Sequence, residues 1–155
     1  MDGDLTRERE LVAGVLREVA AAPRVECEVA VEVGAEGIRA EYVGADAGAL
    51  IGHHGQTLDA IQHLAQRVAF RGAREQAPVI VDAVGYRERR ETALRAMADQ
   101  AAEAAVREGR AVGLEPMGAQ ERKIVHLHLK DRHDVETYSE GEEPSRRLVV
   151  APVRV

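Results

Sequence analysis

The chain has 155 residues, 45% of them hydrophobic, with a net charge of −6, one Phe, three Tyr, no Trp and a single cysteine. One cysteine excludes an intramolecular disulfide and any zinc site built on a cysteine cluster. Scarce aromatics argue against a module that stacks bases on exposed rings, no apolar run reaches membrane-spanning length, and no signal-peptide pattern opens the chain.

Periodicity predicts a helix from Leu5 to Ala20, with Leu5, Val12, Val15, Leu16 and Val19 on one face. Pro23 closes the linker behind it. From Val25 to Val33 the pattern alternates: Val25, Cys27, Val29, Val31 and Val33 point one way, and Glu26, Glu28 and Glu32 the other. Cys27 reads as a small core residue of this strand. Gly34-Ala35-Glu36-Gly37 reads as a hairpin turn into a second strand, Ile38 to Val43. A short helical segment, Ala47 to Ile51, precedes a long helix running to about Arg71, with Leu58, Ile61, Leu64, Ala65 and Val68 as its apolar face. Pro78 leads into a third strand, Val79 to Val84. Eleven acids against five arginines fall in residues 1–50, whereas the remainder carries sixteen charges of each sign. The acidity therefore belongs to the first helix and hairpin, which leaves room for a neutral or basic patch elsewhere.

Between the short and long helices lies Gly52-His53-His54-Gly55. Two glycines let the backbone turn with no Cβ in the way. They also let a sugar-phosphate chain come close, and the helix that follows is expected to offer free N–H groups and the positive end of its dipole to a phosphate. This helix, Gly-x-x-Gly, helix arrangement, with Leu50-Ile51 before it, Gln56-Thr57-Leu58 opening the helix and strands on both sides, resembles the KH domain, whose loop clamps about four nucleotides of single strand. The order α-β-β-α-α-β resembles the type II KH arrangement. The resemblance assigns RNA contacts to Ile51, Gly52, His53, His54, Gly55 and Gln56.

Beyond Gly85 an Ala-rich helix is expected from Tyr86 to about Arg110, with Leu94, Met97, Ala98, Ala101 and Ala105 as its apolar stripe. Its opening, Tyr86 to Leu94, is densely charged. Either its arginines form i,i+4 ion pairs on a solvated face, or Arg87, Arg89 or Arg90 flanks a groove. Val112 to Leu114 reads as a strand, Gln120 to Leu129 as a helix, Val135 to Ser139 and Arg146 to Pro152 as strands around an acidic turn. The expected fold class is α+β, with a KH-like domain at 1–84 and a second small domain at 85–155, a long helix followed by β-α-β-β. Arg122 and His126 are four apart on one helical face, and Lys130 extends that face by a turn. An Arg fork and an imidazole in a row can hold neighbouring phosphates, or a phosphate and a base edge. Arg146 and Arg147 point to opposite sides of their strand, so only one of them can join that surface.

The run from Glu121 to Val150, with its Arg122-x-x-x-His126, resembles the Arg-x-x-x-His (R-3-H) domain, a binder of single-stranded nucleic acid. The two modules in this order resemble the bacterial Jag family over about residues 25 to 152. The resemblance implies single-stranded RNA binding, a cytoplasmic location, a role in cell elongation and envelope growth, and a heteromer with a small single-domain KH protein. It implies no cofactor, metal, small-molecule substrate or membrane insertion. The chain reads as a short form without the further N-terminal domain that many members carry. It also departs at the loop, where His53-His54 stands in place of the Lys or Arg common in KH loops. Two other classes remain. Six histidines invite a metal hydrolase, although no HExxH or comparable ligand spacing is present, and no nucleophile elbow surrounds Ser139. A protein-interaction adaptor with lapsed RNA contacts would account for the acidic first half.

Overall fold

The computed structural model describes residues 4–153. The chain divides into two compact units at the Arg87–Glu88 peptide, one turn beyond the boundary expected from sequence.

In the first unit, helix α1 (Thr6–Ala21) leads to an antiparallel hairpin, β1 (Glu28–Gly34) and β2 (Gly37–Val43). The Gly34 to Gly37 segment makes the turn, as its composition predicted. Gly37 is held at φ +127°, and a Cβ there would meet the Pro78 carbonyl oxygen at 2.3 Å, so only glycine fits. Strand β3 (Val79–Ala83) lies parallel to β2, giving the order β1-β2-β3. A parallel neighbour needs a crossover. Here the crossover carries two short 3-10 turns, Ala47–Leu50 and His53–Gly55, and helix α2 (Gln56–Ala69). Val12, Leu16, Tyr42, Leu58, Ala65 and Val81 are wholly buried between the two helices and one sheet face. The Tyr42 hydroxyl donates to the Leu16 carbonyl at 2.7 Å, tying β2 to α1. Burial pushes its ionisation up.

Two expectations are corrected here. Regular pairing of the first strand starts at Glu28 rather than Val25, although Val25 and Cys27 still pack on the core. On α2, Leu64 and Val68 are 47% and 37% exposed, whereas Leu58, Ile61, Ala65 and Ala69 are buried. The sheet covers a narrower arc of the helix than the apolar residues span. Polar side chains on α2 do their own packing work. The Gln62 and Gln66 carboxamide oxygens accept from the Val81 and Val79 backbone N–H groups at 2.9 and 2.8 Å, and Gln66 also donates to the Ala77 carbonyl at 3.0 Å.

In the second unit, helix α3 (Tyr86–Glu108), which begins in the last residues of the first, presents Leu94, Ala98, Ala101 and Ala105 as a buried stripe, as predicted, with Ala102 added. Strands β4 (Val112–Gly113), β5 (Val135–Glu140) and β6 (Arg147–Pro152) form an antiparallel sheet in the order β4-β6-β5, and α4 (Ala119–Leu129) packs beside β5 and β6. Leu148, Val150 and Val135 join the helices in one core. The alternate residues of β5 and β6 face the other way.

Candidate nucleic-acid interface

The Gly-x-x-Gly loop is built from unusual backbone. Gly52 adopts φ 72°, ψ −173° and Gly55 φ 80°, ψ 10°, regions that side chains disfavour. A Cβ on Gly52 would lie 2.1 Å from Thr57 Oγ1 and 2.9 Å from Thr57 N, and one on Gly55 would strike the Tyr86 ring at 2.8 Å. Both glycines are therefore demanded by the loop's own packing, before any ligand is considered. Gly55 is buried; Gly52 and His53 are exposed, and His54 is half-buried in left-handed backbone at φ 51°. The His53 and His54 rings stack with centroids 3.9 Å apart. Ile51 is half-buried and packs on the first core, and Gln56 is exposed at the head of α2.

The expectation of free N–H groups at the start of α2 is corrected. The Ile51 carbonyl accepts from Thr57 N–H at 3.1 Å and Leu58 N–H at 3.4 Å, and Gln56 N–H bonds to the His53 carbonyl. The chain folds its own loop carbonyls into the helix terminus. What remains for an anion is the dipole field and the exposed loop with its stacked imidazoles. Beside the loop, Asp59 in the first turn of α2 is ion-paired with Arg87 at 3.0 Å. Arg87 also donates to the Val81 carbonyl at 2.7 Å and to Gln62 at 3.2 Å. Arg90 forms a two-point pair with Glu121 at 2.7 and 3.0 Å. The expectation of i,i+4 pairs on a solvated face is corrected for these two arginines: both are ion-paired, but to residues distant in sequence, whereas the i,i+4 pattern is met by Arg95 with Glu91.

In the second unit, Arg122 and His126 do share one side of α4, turned toward β5 and the β5–β6 turn. Arg122 is 11% exposed. It donates to the Met117 carbonyl at 2.7 Å and pairs with Glu143 at 2.8 Å. His126 Nδ1 is hydrogen-bonded to Thr137 Oγ1 at 2.6 Å. Lys130 is exposed one turn further on. Arg146 donates to the Gly141 carbonyl at 3.1 Å, and its own carbonyl accepts from Met117 N–H at 3.1 Å, so its peptide flanks the same residue that Arg122 holds. Arg147 turns to the opposite sheet face, bonded through Nε to Glu140 at 2.9 Å. Arg147 thus lies on the sheet face away from α4, while the Arg146 side chain is tied to the β5–β6 turn. Sequence reading missed both acidic partners; the clustering of Glu140, Glu142 and Glu143 just before Arg146 was the available signal. Among the described residues no group of three or more His, Cys, Asp or Glu converges as a metal site, and no helix is long and apolar enough to cross a membrane.

A parallel β2–β3 pair bridged through a Gly-x-x-Gly loop, followed by a helix bearing Arg-x-x-x-His, defines a two-module protein of the KH and R-3-H class. Family models agree: the KhpA/KhpB KH domain matches residues 9–81 and the R-3-H domain residues 92–152. RNA-binding protein KhpB of Bacillus subtilis is 35% identical over 141 residues, covering 90% of this chain and 68% of the relative. Proteins of the same name from Lactiplantibacillus plantarum and Clostridium symbiosum are each 41% identical, covering 67% and 70% of this chain. The chain belongs to the KhpB, or Jag, family. It spans 32% and 49% of the length of the latter two relatives.

Proposed function

We propose that this chain binds single-stranded RNA through two surfaces and has no catalytic activity. The first is the Gly52–Gly55 loop with Ile51 and Gln56; the second comprises Arg122, His126, Lys130 and Arg146. The observation that carries the reading is the loop: exposed backbone at Gly52 and His53, a protonatable imidazole stack, and the head of α2 behind it. Relatives named as RNA-binding proteins support it. The finer reading is post-transcriptional control of cell elongation and envelope growth in the cytoplasm, as the Jag resemblance implies.

Replacing both His53 and His54 with Asp tests the loop. Asp tolerates left-handed backbone, so the fold survives while two negative charges sit where phosphate would pass. Affinity for short single-stranded RNA, read by anisotropy, falls about tenfold, or ~1.4 kcal/mol. Equal binding by the double variant removes the loop from the mechanism.

One observation also favours a protein partner. Leu64 and Val68, one turn apart on α2, are exposed apolar side chains of the kind that mark association surfaces. They support the heteromer with a small single-domain KH protein. If Leu64→Asp abolishes co-purification of such a protein yet spares RNA affinity, the two activities are separate. Crosslinking that recovers no cellular RNA would leave the adaptor reading in its place.

A further inference from the structure

The alternation in β5 and β6 puts Glu136, Tyr138 and Glu140 together with Arg147, Val149 and Ala151 on the sheet face opposite α3 and α4. Tyr138 is 46% exposed. The chain's other tyrosines are not: Tyr42 is wholly buried and Tyr86 half-buried. Tyr138 pairs with Val149, which is 3% exposed and gives the ring a firm floor. Arg147 pairs with Glu140 and is thus the diagonal neighbour of Tyr138, within reach for long and aromatic side chains. Its guanidinium lies flat on the sheet. A Cβ at Gly113 would meet Arg147 Cζ at 3.0 Å, Nη1 at 3.1 Å and Nε at 3.2 Å, so the group rests on that glycine's backbone. Glu140 Oε1 holds its edge through Nε and Nη2, at 2.9 and 2.5 Å.

A guanidinium held along its Nε–Nη2 edge is fixed in orientation and keeps its flat face. Two planar groups, one aromatic and one cationic, then sit side by side on one open sheet. Unstacked bases of single strands bind to such faces. We propose that this sheet face is a stacking platform for two neighbouring bases of single-stranded RNA, one on Tyr138 and one on Arg147. It is separate from the surface that carries Arg122 and His126. The proposal rests on the RNA-binding reading above. The remaining carboxylate, Glu136, repels phosphate and so turns the strand with its bases inward. Thr137, which holds His126, and Tyr138 are adjacent in β5 and face opposite ways, so a strand passing round this edge meets both surfaces.

The test uses the full chain and a labelled oligoadenylate of about twelve nucleotides, longer than the four or so that a KH loop clamps. Anisotropy is read at several salt concentrations for wild type, Tyr138→Ala, Tyr138→Phe and Arg147→Lys. Stacking releases no counterions, whereas phosphate contacts do. Tyr138→Ala is expected to lose about tenfold in affinity with an unchanged salt slope, and Tyr138→Phe to stay within about twofold of wild type. Arg147→Lys keeps the charge but not the plane and is expected to lose severalfold. If wild type binds and Tyr138→Ala binds equally well, the platform is wrong while the RNA reading stands. A loss shared by Tyr138→Phe, or a shallower salt slope in Tyr138→Ala, also overturns it. If wild type binds no RNA, both readings fall. If a lysine-rich peptide binds wild type and not Tyr138→Ala, with RNA binding equal in both, the face takes a cationic protein instead.

Discussion

The two units place similar side chains in opposite circumstances. In the first, His53 and His54 stand, rings stacked on each other, on a loop whose shape is set by its backbone and two glycines. In the second, Arg122, His126 and Arg147 are each engaged by a neighbour: Glu143 and Met117, Thr137, and Glu140. Residue type and helical spacing thus say which chemistry is available, and the partner decides how much of it remains for a ligand. Substitutions should divide accordingly. Changes to the loop histidines are expected to act on binding more than on stability; truncation of Arg122 is expected to act on stability first.

The largest expected effect marks where this contrast breaks. Gly52→Ala belongs to the loop but acts on the backbone: the new Cβ meets Thr57 at 2.1 to 2.9 Å in a conformation only glycine takes readily. A loss of about 3 kcal/mol is expected in denaturant unfolding. A smaller effect follows for Arg122→Ala, which leaves the Met117 carbonyl without its charged donor and costs about 2 kcal/mol. The double change of His53 and His54 to Asn should leave the unfolding midpoint within about 0.5 kcal/mol of wild type. Should Arg122→Ala prove as neutral as the histidine pair, the contrast is lost.

Next in size is Tyr42→Phe, a control in the core. Losing the hydroxyl bond to the Leu16 carbonyl costs about 1 kcal/mol at neutral pH. Because burial raises the folded-state ionisation of Tyr42, its contribution is complete below the ordinary tyrosine range and is lost as pH rises beyond about 10. Wild type therefore weakens above that pH, and the Phe variant should weaken less. The smallest effect sharpens the contrast. Imidazoles generally titrate near pH 6.5, and the loop carries two of them side by side. RNA affinity should rise severalfold, the worth of a single charge, between about pH 8 and 6. The rise should vanish when both histidines become Asn and survive Arg122→Ala. A flat wild-type profile removes the imidazoles from binding.

Most elements were legible because their signals are local. The Leu94, Ala98, Ala101 and Ala105 stripe fixed one face of α3, and the two glycines fixed the β1–β2 turn. What escaped depends on pairings distant in sequence. Periodicity put Leu64 and Val68 in the core because it shows which side chains share a face, not how wide an arc the sheet covers. The Ile51 carbonyl over the head of α2, Tyr86 against Gly55 and Glu143 on Arg122 join residues from six to thirty-one positions apart. At the candidate site the loop and the Arg-x-x-x-His face were readable from motifs. The tying-up of Arg122 was not, nor was Tyr138, since a composition with few aromatics does not say where the exposed one stands.

The two glutamine bonds from α2 to β3 bear on how this protein can assemble. Strand β3 is an outer strand of its sheet, and such rims ordinarily invite another chain to pair with them. Here the Val79 and Val81 amides already donate to Gln66 and Gln62. That rim offers an incoming strand no matching row of donors, so enlargement of the sheet from this side, whether by a peptide ligand or by fibre growth, is blocked by side chains of the same unit. Any subunit that joins the first unit at this rim must therefore seat on side chains rather than on backbone.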